Sequence, residues 1–319
     1  MIPGVSYRTP RRGVIDVGSN TIHLLVGEVE AGAVVPVTGE KVSARLGSGV
    51  EKTGAIAAER LEVGAAAIEL FARISALNGV MEPAVLATSA VRDAENGPEL
   101  AERVREATGL SVRLVSGEEE ALLGFRGAVS AGAWSGIEWD APALVVDLGG
   151  GSAQLILGEV SEGPTDRVSL PLGTNRTTER YVDNDPPRPE ELAALREGVR
   201  ETLPRWELPE GAPIVAVGGS ARAILKVTRD ELSAGRLRRF AAEIRDRPSG
   251  VLAREHGLAP ERARVLPAAA ETLAAVLEHF GREKVVVARG GIREGAILTQ
   301  AEELGEAGVP LGTPVEERA

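Results

Sequence analysis

The stretch GVIDVGSNTIHLLVGEVE, Gly13 to Glu30, returns in altered form as LVVDLGGGSAQLILGEVS, Leu144 to Ser161. The two align without a gap at an offset of 131 residues. Asp16 falls on Asp147, Gly18 on Gly149, Thr21 on Ser152, Leu24 on Leu155, and Gly27-Glu28-Val29 on Gly158-Glu159-Val160. Each copy has an apolar run rich in β-branched residues, a tight polar turn and a second apolar run, which predicts strand, turn, strand. A solenoid repeats every 20–50 residues or so, far less than this spacing. Two domains of common architecture are the simpler account, and 319 residues suffice for them.

The remainder of each half fits that account. LEVGAAAIELFARISALNG has helical periodicity and leads into the strand PAVLATSA. ENGPELAERVREATG is a helix closed by Gly109, and LSVRLVSG a strand. EEEALLGFRGAVSAG opens a helix with three acids in its first turn, where the macrodipole favours negative charge. In the second half RPEELAALREGVRETLPRW and ARVLPAAAETLAAVLEHFG are helices. APIVAVGGSARAILKVT and EKVVVARGGIREGAILTQAEE each run strand, Gly-Gly turn, helix. Strands alternating with helices predict an α/β fold with largely parallel pairing, plus the hairpins of the repeat. YVDNDPPRPEE reads as a loop and GEAGVPLGTPVEERA as a frayed end.

Charge and composition narrow the function. A net charge of −11 argues against a general binder of nucleic acid or membrane surface. An acidic chain holds a polyanion only through local Arg, backbone N–H groups or metal. The chain has no cysteine, which removes disulfides, thiolate metal sites and a Cys nucleophile together. MIPGVSYRTPRR lacks the apolar core of a signal peptide, and no apolar run approaches the ~20 residues that span a bilayer. A cytoplasmic protein is expected.

The turns DVGSNT and DLGGGS are candidate phosphate loops. Glycine lets backbone N–H groups approach an anion, and Ser and Thr hydroxyls add donors. The aspartate ending each first strand is placed to hold a divalent cation, and Mg²⁺ suits a carboxylate pair that leaves room for water and phosphate oxygens. One copy alone reads as an ordinary Asp-Gly hairpin; two aligned copies favour phosphate. VGGSARAI (Val217–Ile224) and ARGGIREG (Ala288–Gly295) place further Gly pairs before helix N-termini, which bind anions or simply pack tightly. Successive positions on a helix point about 100° apart. Glu118, Glu119 and Glu120 therefore cannot all face one way, and a cleft-facing member is a sensible general base for water. Arg92, in LATSAVRDAEN, suits bidentate phosphate contact, though spacing alone allows a surface position. Packing is expected of His23, no role is assigned to His256 or His279, and the Arg-rich segment Arg236–Arg247 reads as a solvated face or as partners for acids.

Taken in order, VIDVGSNTIHLLV, TSAVRDA, VSGEEEALLGF, VVDLGGGSAQLILGE, AVGGSARAI and RGGIREGAIL resemble the motifs of the exopolyphosphatase / guanosine pentaphosphate phosphatase family, within the sugar kinase–heat shock protein 70–actin superfamily. The likeness runs from about Gly13 to about Glu303. It implies an α/β fold of two ribonuclease-H-like (actin-like ATPase) domains flanking a central cleft, the first over residues 1–125 and the second over 126–319. A helix at about 295–310 is expected to pack back on the first.

The resemblance further implies Mg²⁺-dependent (or Mn²⁺-dependent) release of the terminal phosphate from inorganic polyphosphate. Matched position by position, Glu120 is the base, with Glu119 the alternative in register, and Arg92 faces phosphate. Asp16 and Asp147 attend the metal. Ser19, Asn20, Thr21, Gly149, Gly150, Gly151, Ser152, Gly218, Gly219 and Ser220 fall at phosphate-loop positions. Longer relatives carry further helical domains, so shorter polyphosphate is expected here. Guanosine pentaphosphate as the substrate, and a non-catalytic binder of polyphosphate or (p)ppGpp, are the rival readings. The resemblance allows a homodimer and implies neither nucleic acid nor membrane as partner.

Overall fold

The structure, a computed structural model, describes residues 10–130, 142–159 and 162–305. The expected frayed end from Glu306 onward lies outside the described residues, as do the first nine.

Both copies of the repeat form the predicted hairpins. In the first, β1 (Arg12–Val17) pairs antiparallel with β2 (Ile22–Glu30), which pairs with β3 (Ala33–Val42). After α1 (Val50–Thr53) and α2 (Ala58–Leu77), β4 (Ala84–Ala87) returns parallel to β1. Next come α3 (Ser89–Asp93), α4 (Gly97–Thr108), β5 (Val112–Leu114) and α5 (Gly117–Ser130), giving a sheet of order β3-β2-β1-β4-β5. The second half repeats the plan with β6 (Ala143–Leu148), β7 (Ala153–Glu159) and β8 (Gly163–Leu170), then α6 (Thr174–Tyr181), α7 (Pro189–Thr202), β9 (Ile214–Val217) and α8 (Gly219–Thr228). Following these are β10 (Leu232–Ser233), α9 (Ala234–Arg245), α10 (Ser249–His256), α11 (Pro260–Arg264), α12 (Leu266–His279), β11 (Lys284–Val287) and α13 (Ile292–Glu303). The second sheet runs β10-β11-β9-β6-β7-β8. Without the short edge strand β10, the two orders coincide.

The repeat extends to backbone detail. Asp16 pairs with His23 and Asp147 with Gln154, positions equivalent at the 131-residue offset. Gly18 N donates to Thr21 O (3.2 Å), as Gly149 N does to Ser152 O (3.1 Å). Both hairpins shift register at the same place, Val26/Gly27 and Leu157/Gly158, which accounts for the shared Gly-Glu-Val. The third strands β3 and β8 escape the sequence reading because each is substantially exposed and lacks a clean alternation.

Helices cover the sheets according to their apolar faces. In α2, Leu61, Ile68 and Phe71 are buried on the first sheet with Leu100 and Val104 of α4. Each such side chain contributes about 1.5–3 kcal/mol by leaving water. Residues 125 and 126, where the sequence reading divides the domains, fall within α5. That helix joins the two lobes: Ala121, Phe125, Ala128 and Val129 belong to the core of the second sheet, while Leu123 packs with Val14, Leu25 and Leu86 of the first. α13 comes from the far end of the chain and packs Ile292, Ala296 and Ile297 into this same first-sheet cluster. This helix spans Ile292–Glu303, and residues 306–310 of the expected span lie outside the described residues.

α5 and α13 cross almost backbone to backbone. A Cβ at Gly127 would strike the Gly291 carbonyl, and one at Gly295 the Leu123 carbonyl. Neither obstacle is a side chain that can swing away. Gly127→Ala should therefore cost about 3 kcal/mol in chemical denaturation. A loss below ~1 kcal/mol would show that the crossing tolerates separation.

Opposite this crossing, α6 is tied to the first lobe. Arg176 pairs with Asp93 and with Glu51 (3.3 Å), Arg180 with Glu51 (3.7 Å), and Gly49 N donates to Glu179 Oε1 (3.0 Å). Among the described residues no helix is long and apolar enough to cross a membrane.

Candidate active site

Between the sheets lies a cleft of about 480 Å³. Its floor is built from the ends of β1 and β6, where the chain leaves each sheet at Asp16 and Asp147. The two turns confront one another. Ser19 Oγ lies 3.1 Å from Ser89 Oγ, and Asn175 Nδ2 donates to Asn20 Oδ1 (2.8 Å). Packing of the second turn against Ser19 explains why that turn is richer in glycine. A Cβ at Gly151 would come within 2.6 Å of Ser19 Oγ, and one at Gly150 within 3.1 Å of Ser19 Cβ.

Of the residues singled out from the sequence, Asp16, Ser19, Asn20, Thr21, Glu120, Asp147, Gly149, Gly150, Ser152, Gly218 and Gly219 line this one cleft. Three lie elsewhere. Gly151 lines a small adjoining recess with Ser19, Asn175 and Arg176. Ser220 is buried beneath the cleft, its Oγ accepting from Arg262 Nη1 (2.8 Å). Arg92 stands behind Glu120, donating from Nη1 to Val115 O (2.6 Å) and to Glu120 Oε2 (3.4 Å).

The three successive acids diverge as helix geometry requires. Glu118 pairs with Arg167 (3.5 Å) and Glu119 with Arg113, both outward; Glu120 alone of the three lines the cleft. One turn further along α5, Gly124 lies against Asp147, where an added Cβ would sit 3.4 Å from Oδ2. Positions four apart share a helix face, so Glu120 is delivered to the same spot.

The floor is electrostatically strained. Burial pushes Glu120 up to about 8, with Asp147 adding to the rise and Arg92 opposing it. Burial also raises Asp16 to about 7 and Asp147 to about 6, against the pull of Arg293 and Arg222 respectively. Neither aspartate side chain makes a hydrogen bond or ion pair among the described residues. Glu294, on the first turn of α13, is a further carboxylate of the lining, and its Oε2 is buried without a hydrogen-bond partner among the described residues. No group of three acids or histidines among the described residues is gathered into a protein-only metal cage. The donor set instead fits a hard cation that keeps waters and takes phosphate oxygens as well.

Residues that the sequence reading did not assign complete the walls: Lys41, Arg45, Arg222, Lys226, Arg262 and Arg293. Two of them, Arg222 and Arg293, follow the Gly-Gly turns already noted, in GGSAR and GGIR; an Arg two or three residues after such a turn was the available signal. His23 differs from expectation. It lines the cleft, and burial together with Arg293, Arg222, Lys41 and Arg262 lowers its pKa to about 3, so the ring is neutral near pH 7.

Two lobes of one topology closed over a gap with carboxylates at its base and cations on its walls make this an enzyme of the actin-like ATPase fold. A model of the Ppx/GppA phosphatase family matches residues 25–304, and the chain belongs to that family. It is similar to exopolyphosphatase 1 of Mycobacterium tuberculosis, 33% identical over 310 residues spanning 92% of this chain and 88% of that protein. The counterpart from Mycobacterium leprae is 31% identical, covering 96% and 94%. Among solved structures, the Aquifex aeolicus Ppx/GppA family member superposes with a TM-score of 0.75 at 25% identity, covering 94% of this chain and 99% of that one.

Proposed function

We propose that this chain is an exopolyphosphatase that uses a divalent cation, Mg²⁺ or Mn²⁺, and direct attack by water on the terminal phosphoryl group. The observation that carries the reading is Glu120, a carboxylate lodged at the junction of two confronted Asp-Gly turns and held from behind by an arginine. Glu120 orients the water and takes its proton. Arg92 is a positioning residue, since it reaches the reacting centre only through Glu120. Amides and hydroxyls of the Ser19–Thr21 and Gly149–Ser152 turns, with Gly218 and Gly219, receive the phosphoryl oxygens. Phosphoryl transfer needs little else than such positioning and charge stabilisation.

Asp16 and Asp147 would hold the cation, which would neutralise phosphate charge between them. A positive charge there would also oppose the repulsion that Asp147 and Asp16 add to burial in raising Glu120, and so would favour its basic form at lower pH. The cation-rich lining, with no Phe, Tyr or Trp among its described residues, favours polyphosphate over guanosine pentaphosphate. A cytoplasmic setting accords with the cysteine-free sequence.

Phosphate release from purified protein, with and without Mg²⁺ or Mn²⁺, tests the reading. Polyphosphates of graded length should yield orthophosphate only with the cation present. Release from guanosine pentaphosphate alone would change the substrate, and release from neither would leave a binding protein.

A further inference from the structure

Beyond the reacting centre the cleft changes character. Of its six cations, Arg45 pairs with Glu261 and Arg293 approaches Glu294 at 4.0 Å. Lys41, Arg222, Lys226 and Arg262 have no carboxylate within ion-pair distance among the described residues. Lys41 and Lys226 are exposed and mark the rim, one on β3 of the first lobe and one on α8 of the second. Arg262 sits on α11 with its guanidinium over Gly219 and bound to Ser220. Cations from both lobes therefore converge on one outlet, and Arg293, Arg222, Lys41 and Arg262 add to burial in lowering the pKa of His23. Like charges gathered without counterions are unfavourable in the empty protein, and a polyanion relieves them.

Arg45 is the exception and supplies the second observation. Its backbone lies in the left-handed region, φ 54°, which is unusual for a side chain of this size. Arg45 N donates to Asn20 O (2.9 Å), and Gly47 N donates to Ser19 O (2.9 Å), so the segment is fastened to the first turn. The side chain reaches across the cleft to Glu261, the one acid on the rim.

We propose that Lys41 and Arg45 on one rim, and Lys226 and Arg262 on the other, form a subsite for the unreacted remainder of a polyphosphate chain, with Glu261 holding Arg45 until that chain displaces it. This rests on the polyphosphate reading above. The subsite bears on chain length, because a short substrate ends before reaching it.

The test compares long-chain polyphosphate with tripolyphosphate. Glu261→Gln removes the competing carboxylate and should lower KM for the long chain by roughly three- to ten-fold, with a smaller change for tripolyphosphate. A gain of this kind is not produced by structural damage. The double variant Arg262→Gln/Lys226→Gln should raise the long-chain KM roughly ten-fold more than the tripolyphosphate KM. It should also flatten the dependence of log KM on log salt by about 1.5–2 units, one charge lost at each position. Calorimetric titration of both ligands into the same variants, built on Glu120→Gln, gives the answer without turnover. Unaltered long-to-short ratios in the rim variants would overturn the subsite, whereas absence of phosphate release by the wild type would overturn only the enzymatic reading.

Discussion

Glu120→Gln should lower the rate of orthophosphate release by about 10²–10⁴-fold, the usual cost of deleting a general base, while the folded state is kept. Glutamine preserves shape and still accepts from Arg92 Nη1, so the positioning contact survives; only the proton acceptor is lost. The wild-type pH profile should carry the same signature. The carboxylate is pushed up to about 8 in the absence of a cation, so the basic form gains as pH rises through that value. Adding the cation cancels negative charge on Asp16 and Asp147 and should move the rising limb to lower pH. Rate measurements at several Mg²⁺ concentrations check this. A limb that stays in place, or a Glu120→Gln variant within five-fold or so of wild type, would assign the proton transfer elsewhere.

Asp147→Asn should have the other large effect, and in opposite directions on two observables. Turnover should fall by about 10³-fold or more, because charge stabilisation worth several kcal/mol goes with the metal ligand. Stability of the metal-free protein should rise. Folded-state values of about 7 for Asp16 and about 6 for Asp147 lie above the ordinary 3.8, so the fold prefers both groups protonated. Their contribution to stability is fully present below about pH 4 and is lost as pH climbs through 6 and 7. At pH 8 the wild type carries the penalty of both groups, while the asparagine variant keeps that of Asp16 and loses that of Asp147. Both carboxylates face a solvated cleft, so the gain is discounted to about 1–2 kcal/mol. Thermal melts in chelator should show both proteins declining from pH 5.5 to 8, the wild type more steeply than Asp147→Asn. Divalent cation should restore the wild type alone. Equal melting curves for the two proteins at pH 8 in chelator would contradict this account of the floor.

The fold was legible where local pattern and tertiary role agree. The doubled Asp-Gly turn predicted two hairpins, and the structure reproduces them down to equivalent pairs, Asp16 with His23 and Asp147 with Gln154. Strand β3 was not legible, because Val34 to Val42 alternates poorly on an exposed sheet edge. At the site, Asp16 and Asp147 could be named from their turns, whereas the helix start left Glu118, Glu119 and Glu120 open and only the family resemblance singled out Glu120. Arg45, Arg262 and Glu294 could not: their importance comes from elements brought together across the cleft, about which spacing along the chain says nothing. His23 illustrates the same limit. A lone histidine in an apolar strand reads as packing, and only the arrival of Arg222 and Arg262 from the other lobe gives it its surroundings. Arg92 was legible as a cation near the centre, but its attachment to Glu120 depends on how α3 meets α5.

The placement of α13 has a consequence for biosynthesis. A ribosome that has delivered the first 130 residues has made every strand of the first sheet, yet the face bearing Val14 and Leu25 still waits for Ile292 and Ile297. The opening lobe thus stays unfinished throughout elongation, with one apolar face of its sheet not yet covered by the closing helix. Arg293 and Glu294 arrive on that same closing segment, so the nascent chain acquires its full complement of cleft charges only when nearly all of it has been translated.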